Sequence, residues 1–88
     1  MIIQKNKNFK KVFRNRIKYN PKLVKRAKER VRLFIENPNN PILKNHQLTG
    51  AMKNHRAFWI TGDIRIIYFP ISKDKVLFID IGTHNQVY

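Results

Sequence analysis

The chain has 88 residues, of which 42% are hydrophobic, and its 19 lysines and arginines face five aspartates and glutamates, for a formal net charge of +14. This length allows one domain, spanning residues 1–88, with enough apolar content for a globular core. The lack of cysteine excludes disulfides, thiolate metal sites and a cysteine nucleophile, and no apolar run approaches the roughly 18 residues of a membrane-spanning helix. We therefore expect a cytoplasmic protein with no membrane partner.

The positive charge is concentrated in the first half of the chain. Residues 1–44 hold 14 basic and two acidic residues, a net charge of +12, whereas residues 45–88 hold five and three, a net charge of +2. So uneven a charge indicates a polyanionic partner, which can be nucleic acid, an acidic protein or an anionic membrane. Like charges at this density repel one another, and a surface selected only for solubility would leave this repulsion without compensation. We therefore favour a binding role for the basic residues.

The first half of the chain predicts one short strand and two helices. Residues 1–5 are a strand candidate, and Asn6 or Asn8 can cap the helix that follows. Apolar residues then recur at helical spacing, namely Phe9, Val12, Phe13 and Ile17. The Asn20-Pro21 pair begins a second helix, because asparagine is a favoured cap and proline fits the first helical position. This helix is expected to end at Asn37.

The second half predicts an irregular segment followed by three strands. Residues 42–54 show no periodicity and are expected to be irregular. From His55 onward the apolar period is two, which predicts strands at residues 55–61, 64–69 and 75–81, with turns at residues 62–63 and 72–74. Gly82 is expected to end the last strand and to leave residues 83–88 as a short tail.

This order of elements predicts an α+β fold. A short N-terminal strand and two antiparallel basic helices would pack on an antiparallel sheet that ends in a C-terminal three-stranded meander. The helices are the only cover available for an apolar face of the sheet. Their outer surfaces would form a broad basic face, and the opposite face of the sheet would be partly free to form a concave site.

Several short motifs follow one another in the second half of the chain. They are Asn45-His46-Gln47-Leu48-Thr49-Gly50, Arg56, Asp63, Ile66-Ile67-Tyr68 and Gly82-Thr83-His84, the last followed four positions later by Tyr88. In this order, and in a chain of this length and charge, they resemble the YafQ-like branch of the RelE/ParE superfamily of toxins. The first half matches only in layout, a strand followed by two basic helices.

This resemblance implies a RelE-like fold and the toxin of a toxin–antitoxin module, which cleaves mRNA on the ribosome. It also implies an acidic antitoxin as partner, in a toxin–antitoxin hetero-oligomer. Carried over by position, the catalytic residues of YafQ-type members fall on His46, Asp63, His84 and Tyr88. Their histidine on the first meander strand is replaced here by Trp59.

Basic residues add further candidates. The segment Gly62-Asp63-Ile64-Arg65, followed by Ile66-Ile67-Tyr68, is similar to a segment of RelE in which an arginine contacts the scissile phosphate, so Arg65 is a catalytic candidate. We also expect a set of basic residues to bind RNA or its phosphates, namely Arg56, Lys44, Lys53, Lys11 and Arg14.

The residue types also suit RNA cleavage without a metal. RNA carries its own nucleophile, the 2′-OH, so cleavage needs a base, an acid and cations around the phosphate. Histidine serves in either proton-transfer role, arginine clamps a phosphate, and an aromatic ring stacks on a base. Three histidines without cysteine fit no common zinc pattern, so we expect no metal and no cofactor.

Other functions stay open at this point. A ParE-like gyrase inhibitor would share the fold without needing acid–base residues, and a non-catalytic RNA-binding protein would use the basic helices alone. A toxin that has lost its activity through the replacement at Trp59 is a further alternative. The combination of His46, His84, Arg65 and Tyr88 favours the nuclease.

Single candidates also have structural alternatives. His84 can be a solvated surface residue, and Asp63 can serve only the turn that contains it. Arg56 can pair with Asp80 across the sheet. Trp59 can be part of the core rather than a platform for a base.

Overall fold

The computed structural model describes residues 1–87, in which a five-stranded sheet carries its longer helical segments on one face and a one-turn helix on the other. The strands are β1 (Ile2–Lys5), β2 (His46–Gln47), β3 (Arg56–Trp59), β4 (Ile64–Ser72) and β5 (Lys75–Thr83), in the order β1-β5-β4-β3-β2. The α-helices are α1 (Lys7–Val12), α2 (Pro21–Glu36) and α3 (His84–Val87). A π-helix follows α1 at Phe13–Ile17, and 3-10 turns lie at Pro41–Leu43 and Gly50–Met52. The α+β class is confirmed, and none of the helices in residues 1–87 is long and apolar enough to cross a membrane.

The sheet is mixed, so the expectation of an antiparallel sheet is wrong for one strand. β3, β4 and β5 form the predicted antiparallel meander, but β1 runs parallel to β5, with Ile2 opposite Lys75 and Lys5 opposite Phe78. Antiparallel neighbours joined by a tight turn leave a local signal in the sequence, whereas parallel neighbours are joined by a long connection. The sequence pattern of β1 therefore does not reveal its direction.

Asparagine side chains begin both of the longer helical segments. The Oδ1 atom of Asn6 accepts a hydrogen bond from the N–H of Phe9 at 2.7 Å, and that of Asn20 accepts one from the N–H of Leu23 at 3.1 Å. Such bonds satisfy backbone donors that have no partner within the helix. The helix starts predicted at Asn6 and at the Asn20-Pro21 pair are confirmed.

The segment after α1 winds as a π-helix, where the sequence predicts that the α-helix continues. The N–H of Lys18 donates to the carbonyl of Phe13 at 2.9 Å, a bond that spans five residues. Phe9, Phe13 and Ile17 repeat every four residues, so they would drift around a helix of 3.6 residues per turn. A wider turn offsets part of this drift, and Phe9 and Ile17 are both buried.

An aromatic cluster fixes α2 to the middle of the sheet. The ring of Phe34 stacks on Phe58 with centroids 4.4 Å apart and meets Tyr68 edge-on at 4.9 Å. All three side chains are buried. Aromatic pairs in such geometries add about 0.5–1.5 kcal/mol beyond the burial of their surface. The cluster therefore holds α2 against β3 and β4.

A β-bulge in β5 provides the attachment point for α1. The register passes from Ile67 opposite Asp80 to Tyr68 opposite Phe78, which leaves Ile79 as the extra residue. The side chain of Asn8 donates to the carbonyl of Ile79 at 2.8 Å. Asn8 thus ties α1 to the bulge and does not cap a helix.

The second half contains more regular structure than the sequence predicts. Residues 42–54, expected to be irregular, include β2, which pairs with β3 through His46 opposite Ala57. β5 does not end at Gly82 but continues to Thr83, and the expected tail forms α3. A strand of two residues and a helix of one turn are too short to show a period, which explains both differences.

The two faces of the sheet have different covers. α1, the π-helix and α2 cover one face, called the helix face below. The other face, called the open face below, carries Ala57 and Ile67, which pack against Val87 of α3. Side chains alternate along a strand, so the cross-strand pair Trp59 and Arg65 also lies on the open face.

Candidate active site

His46 reaches the open face through a turn made by Lys44. Lys44 has φ +48°, and within residues 1–87 it is the one non-glycine residue with a positive φ. Its carbonyl lies 2.9 Å from Nδ1 of His46. Because a carbonyl oxygen only accepts, His46 must donate from Nδ1, and the neutral ring then keeps a lone pair on Nε2. The turn therefore leaves His46 with a proton-accepting nitrogen.

The segment that follows β2 forms one wall of a cleft on the open face. Gly50 has φ +66°, a conformation that favours glycine, and it starts the 3-10 turn Gly50–Met52. Leu48 and Met52 pack on the apolar residues of the open face. This packing places the loop beside the sheet, with Thr49 among the residues that line the cleft.

α3 forms the other wall of the cleft. The side chain of Gln86 accepts a hydrogen bond from the backbone N–H of Thr83 at 2.9 Å. This is the return bond of a capping box, in which a glutamine three residues after a threonine reaches back to the start of the helix. Val87 is buried against the open face. The Thr83-x-x-Gln86 pattern is a helix-start signal that the sequence analysis missed.

Gly82 allows α3 to lie directly on β5. A Cβ atom at this position would come within 2.8 Å of Oε1 of Gln86 and 3.2 Å of Cγ1 of Val87. Oε1 belongs to the end of a flexible side chain that can turn away, whereas Cβ of Gln86 and Cγ1 of Val87, both at 3.2 Å, would have to give by a few tenths of an ångström. Gly82 therefore serves close packing with α3 and not, as the sequence suggested, the end of a strand.

Arg65 and His84 meet at the cleft. Arg65 lies opposite Gly82 in the β4–β5 register, which brings its side chain near the start of α3. Its Nη1 atom is 3.4 Å from Nδ1 of His84. Because a guanidinium group only donates, Nδ1 of His84 accepts, and the neutral ring then carries its proton on Nε2.

His46, Arg65 and His84 line the same cleft, together with residues of the loop after β2. The cleft has a volume of about 500 Å³, which is within the range of small-ligand sites. It combines two imidazoles, each of which can accept a proton when neutral and donate one as an imidazolium, with a guanidinium cation. This set can transfer protons on either side of a phosphate group while the cation stabilises its charge.

Of the other seven predicted site residues, six do not line this cleft, and one of these six, Lys44, is described with Trp59 below. Asp63 is exposed in the turn between β3 and β4, and its N–H donates to Oγ1 of Thr61 at 3.2 Å. Lys53 and Arg56 border a separate depression of about 400 Å³ beside β2. Lys11 and Arg14 are exposed in the helical layer across the sheet. The seventh, Tyr88, lies outside the described residues.

Arg56 belongs to the helix face, so its alternative pairing with Asp80 is wrong. Its Nε atom donates to Oδ1 of Asn45 at 3.0 Å, and Asn45 also exchanges hydrogen bonds with the hydroxyl of Tyr68 at 2.8 and 3.1 Å. Asp80 lies opposite Ile67, whose side chain packs on the open face. The sheet therefore separates Arg56 from Asp80.

Trp59 belongs to neither core cluster found in residues 1–87, so its interpretation as a core residue does not hold. It is half-buried at the end of β3. Nζ of Lys44 and Cζ of Arg65 each lie 5.2 Å from the centre of a Trp59 ring. Lys44, predicted as a phosphate-binding residue, is thus held beside the cleft by Trp59.

Metal-ligating side chains do not cluster in the part of the chain that the structure describes. No three histidine, cysteine, aspartate or glutamate residues among residues 1–87 lie close enough to hold one metal ion. Among the described residues, the cleft offers the proton-transfer groups of His46 and His84 and the positive charge of Arg65.

Comparison with known proteins gives one family and several structures of the same fold. The family model described as a bacterial toxin of the type II toxin-antitoxin system, YafQ, matches residues 1–88. The YoeB/ParE toxin from Agrobacterium tumefaciens is similar, with a TM-score of 0.78 and 18% identity over 96% of this chain and 99% of that chain. No match was found among curated protein sequences.

Two solved structures from E. coli are also similar to this chain. YafQ from strain BL21(DE3) has a TM-score of 0.75 and 23% identity over 98% of this chain and 96% of that chain. A chain of the E. coli DinJ-YafQ complex has a TM-score of 0.72 and 23% identity, again over 98% of this chain and 96% of that chain. At these identities, the structures show a shared fold.

Gly82→Ala should displace α3 and, with it, His84. Because the added methyl group would crowd Cβ of Gln86 and Cγ1 of Val87 at 3.2 Å and turn away the Gln86 amide that bonds Thr83, we expect the free energy of unfolding to fall by about 1–3 kcal/mol, together with a shift of the His84 imidazole signals in NMR spectra. Gly62→Ala is the matched control, since a Cβ atom there would meet nothing within 4 Å. Unchanged stability and unchanged His84 signals in Gly82→Ala would contradict this packing.

Proposed function

The chain belongs to the YafQ family of bacterial type II toxins, and we propose that it is a metal-independent endoribonuclease that cleaves mRNA on the ribosome, in the cytoplasm. The observation that carries this proposal is the meeting of His46, Arg65 and His84 around one cleft. Two imidazoles and a guanidinium are sufficient for cleavage, because RNA supplies the nucleophile itself.

In the proposed reaction, the 2′-oxygen of RNA attacks the adjacent phosphorus. His46 accepts the proton of the 2′-OH on Nε2, the nitrogen that its hydrogen bond to Lys44 leaves with a lone pair. The bond between the 2′-oxygen and phosphorus forms as the bond between phosphorus and the 5′-oxygen breaks. His84 in its imidazolium form supplies the proton that the departing 5′-oxygen needs and is left neutral, after which its Nδ1 atom can again accept from Arg65. The products are a 2′,3′-cyclic phosphate and a 5′-hydroxyl end.

Arg65 stabilises the negative charge that develops on the phosphate. A guanidinium group offers parallel N–H donors that match two phosphate oxygens. Arg65 is half-buried and already in contact with His84, so the cation needs little rearrangement when the transition state forms. Tyr88 stays a prediction as a residue that stacks on a base or activates the hydroxyl.

We further propose that a groove on the helix face of the sheet binds the acidic antitoxin. The groove has a volume of about 810 Å³ and lies between the helices and the sheet. Its floor is apolar and includes Ile35, which is 45% exposed. Its charged border has one acidic residue, Glu36, and four basic residues, namely Lys5, Lys10, Lys28 and Arg32. An amphipathic helix with acidic flanks is complementary to such a surface.

The positive charge around this groove is almost uncompensated within the protein. Among residues 1–87, the one ion pair between basic and acidic side chains joins Arg26 to Glu29 at 3.9 Å, and both side chains are exposed. The remaining lysines and arginines of the helical layer are available to a partner. The same basic surface would hold ribosomal RNA through its phosphates, so the antitoxin and the ribosome should compete for it.

His84→Ala should lower the cleavage rate by roughly 10²–10⁴-fold, which is the usual effect of removing a general acid or base. The control is His55→Ala, because His55 packs 5.4 Å from the ring of Phe69 and does not line the cleft. Cleavage of a defined RNA is measured together with the melting temperature of each variant. Wild-type cleavage by a folded His84→Ala protein would refute the assignment of His84.

Cleavage should persist in excess chelator and should leave 2′,3′-cyclic phosphate ends, because the proposed reaction uses only side chains and the 2′-OH. The ends are identified on a short purified RNA, so that the magnesium requirement of ribosomes does not interfere. Activity that disappears in chelator and returns with zinc or magnesium would exclude this mechanism.

Reversing charges at the groove should slow the binding of the antitoxin. We expect Lys28→Glu and Arg32→Glu to lower the association rate and to weaken its dependence on salt, because steering by opposite charges is lost. Lys73→Glu, an equal charge change in the exposed turn between β4 and β5, should have a much smaller effect. Stopped-flow kinetics at several salt concentrations measure the association rate of each variant with the antitoxin. Equal rates for all three variants would argue against the groove.

A further inference from the structure

Trp59 is placed where a side chain with an electron-rich face can act on two cations. It lies directly opposite Arg65 in the β3–β4 pairing, so the two side chains share one face of the sheet. Cζ of Arg65 and Nζ of Lys44 are each 5.2 Å from the centre of a Trp59 ring. Both distances are within the range of cation–π attraction, which is strongest for tryptophan.

Lys44 is brought to Trp59 by an unusual backbone conformation. A positive φ is uncommon for a residue with a side chain, and the surrounding structure has to maintain it. The conformation of Lys44 has two results: its carbonyl accepts the hydrogen bond from His46, and its ammonium group reaches Trp59. Lys44 thus orients the proposed proton acceptor His46 through its backbone and places a cation beside Trp59 through its side chain.

The contacts of Trp59 indicate what this position contributes. An indole ring transfers no proton at neutral pH, Trp59 does not line the cleft directly, and it is absent from both core clusters. What Trp59 can still offer is the face of its indole ring, which carries partial negative charge and attracts cations. Cζ of Arg65 and Nζ of Lys44 each lie 5.2 Å from the centre of a Trp59 ring, so attraction to this one side chain offsets the repulsion between the two like charges while no RNA is bound.

We propose that Trp59 is a positioning residue that holds Arg65 and Lys44 together as a cation pair for the phosphodiester backbone of RNA. Arg65 then contacts the scissile phosphate, and Lys44 contacts the same phosphate or its neighbour in the strand. This inference rests on the proposed ribonuclease function and deepens it. It assigns to Trp59 a role in binding phosphate through other side chains, with no contact to the reacting atoms.

The test compares Trp59→Leu, which removes the π face, with Trp59→Phe, which keeps a smaller one. The ligand is a 2′-O-methyl oligoribonucleotide, which has the phosphates of RNA but cannot be cleaved because its 2′-oxygen is blocked. Tyr19→Leu is the matched control: Tyr19 is 78% exposed in the helical layer, and Nζ of Lys18 lies 5.9 Å from its ring. The Tyr19→Leu variant therefore loses a similar cation–π contact on the opposite face of the sheet from the cleft.

We expect Trp59→Leu to weaken binding of this oligonucleotide by about 3- to 30-fold, as expected from lost cation–π contacts, and Trp59→Phe to recover part of the loss. Tyr19→Leu should bind like the wild type. In NMR spectra of the free protein, the Arg65 guanidinium signals should move in Trp59→Leu because the ring current is lost. Cleavage of unmodified RNA should fall in parallel with binding, while the shape of its pH profile should be unchanged.

Different outcomes separate this proposal from the proposed function. Wild-type binding and unmoved Arg65 signals in a folded Trp59→Leu protein would overturn the positioning role. A changed pH profile in this variant would also overturn it, since Trp59 would then act on the proton-transfer groups. If the wild type binds the 2′-O-methyl strand but leaves unmodified RNA intact, the ribonuclease proposal fails, and the binding measurements still decide the role of Trp59.

Discussion

The alternation of side chains along β3 and β4 is the constraint on which both surfaces of the molecule depend. Phe58 and Tyr68 turn toward the helices and stack around Phe34, which fixes the basic helical layer to the sheet. Trp59 is one position after Phe58, and Arg65 is three positions before Tyr68. Because side chains alternate along a strand, Trp59 and Arg65 therefore turn toward the open face. A register slip of one residue would exchange these sets and would lose the core and the cleft together. The core packing thus determines where Arg65 can act.

The cleft itself rests on weaker interactions than the core does. α3 is a single turn, too short to be stable in isolation, and it is held by the buried side chain of Val87, the hydrogen bond from Thr83 to Gln86 and the close approach at Gly82. Local elements with few buried contacts open more readily than the global fold. The position of His84 should therefore respond to changes in α3 that leave the helix face intact.

Much of this arrangement could be predicted from the sequence, because its signals are local. The caps at Asn6 and Asn20 and the meander with its period of two are confirmed, and three of the residues singled out by the motifs and by Arg65's segment, His46, Arg65 and His84, lie around one cleft. The remaining features depend on contacts between residues far apart in the sequence, or on elements too short to show a periodicity. The parallel pairing of β1, the winding of α3 and the cations around Trp59 follow from packing that no periodicity reveals.

Mapping the ends of a translated message is the most direct measurement of what the cleft does. A defined mRNA is translated in an antitoxin-free extract with and without the purified protein, and its 5′ ends are located by primer extension. A ribonuclease built on His46, Arg65 and His84 predicts new ends at discrete positions within the coding sequence. A message that stays intact while DNA gyrase is inhibited by the same protein would contradict the ribonuclease and would favour a ParE-like function.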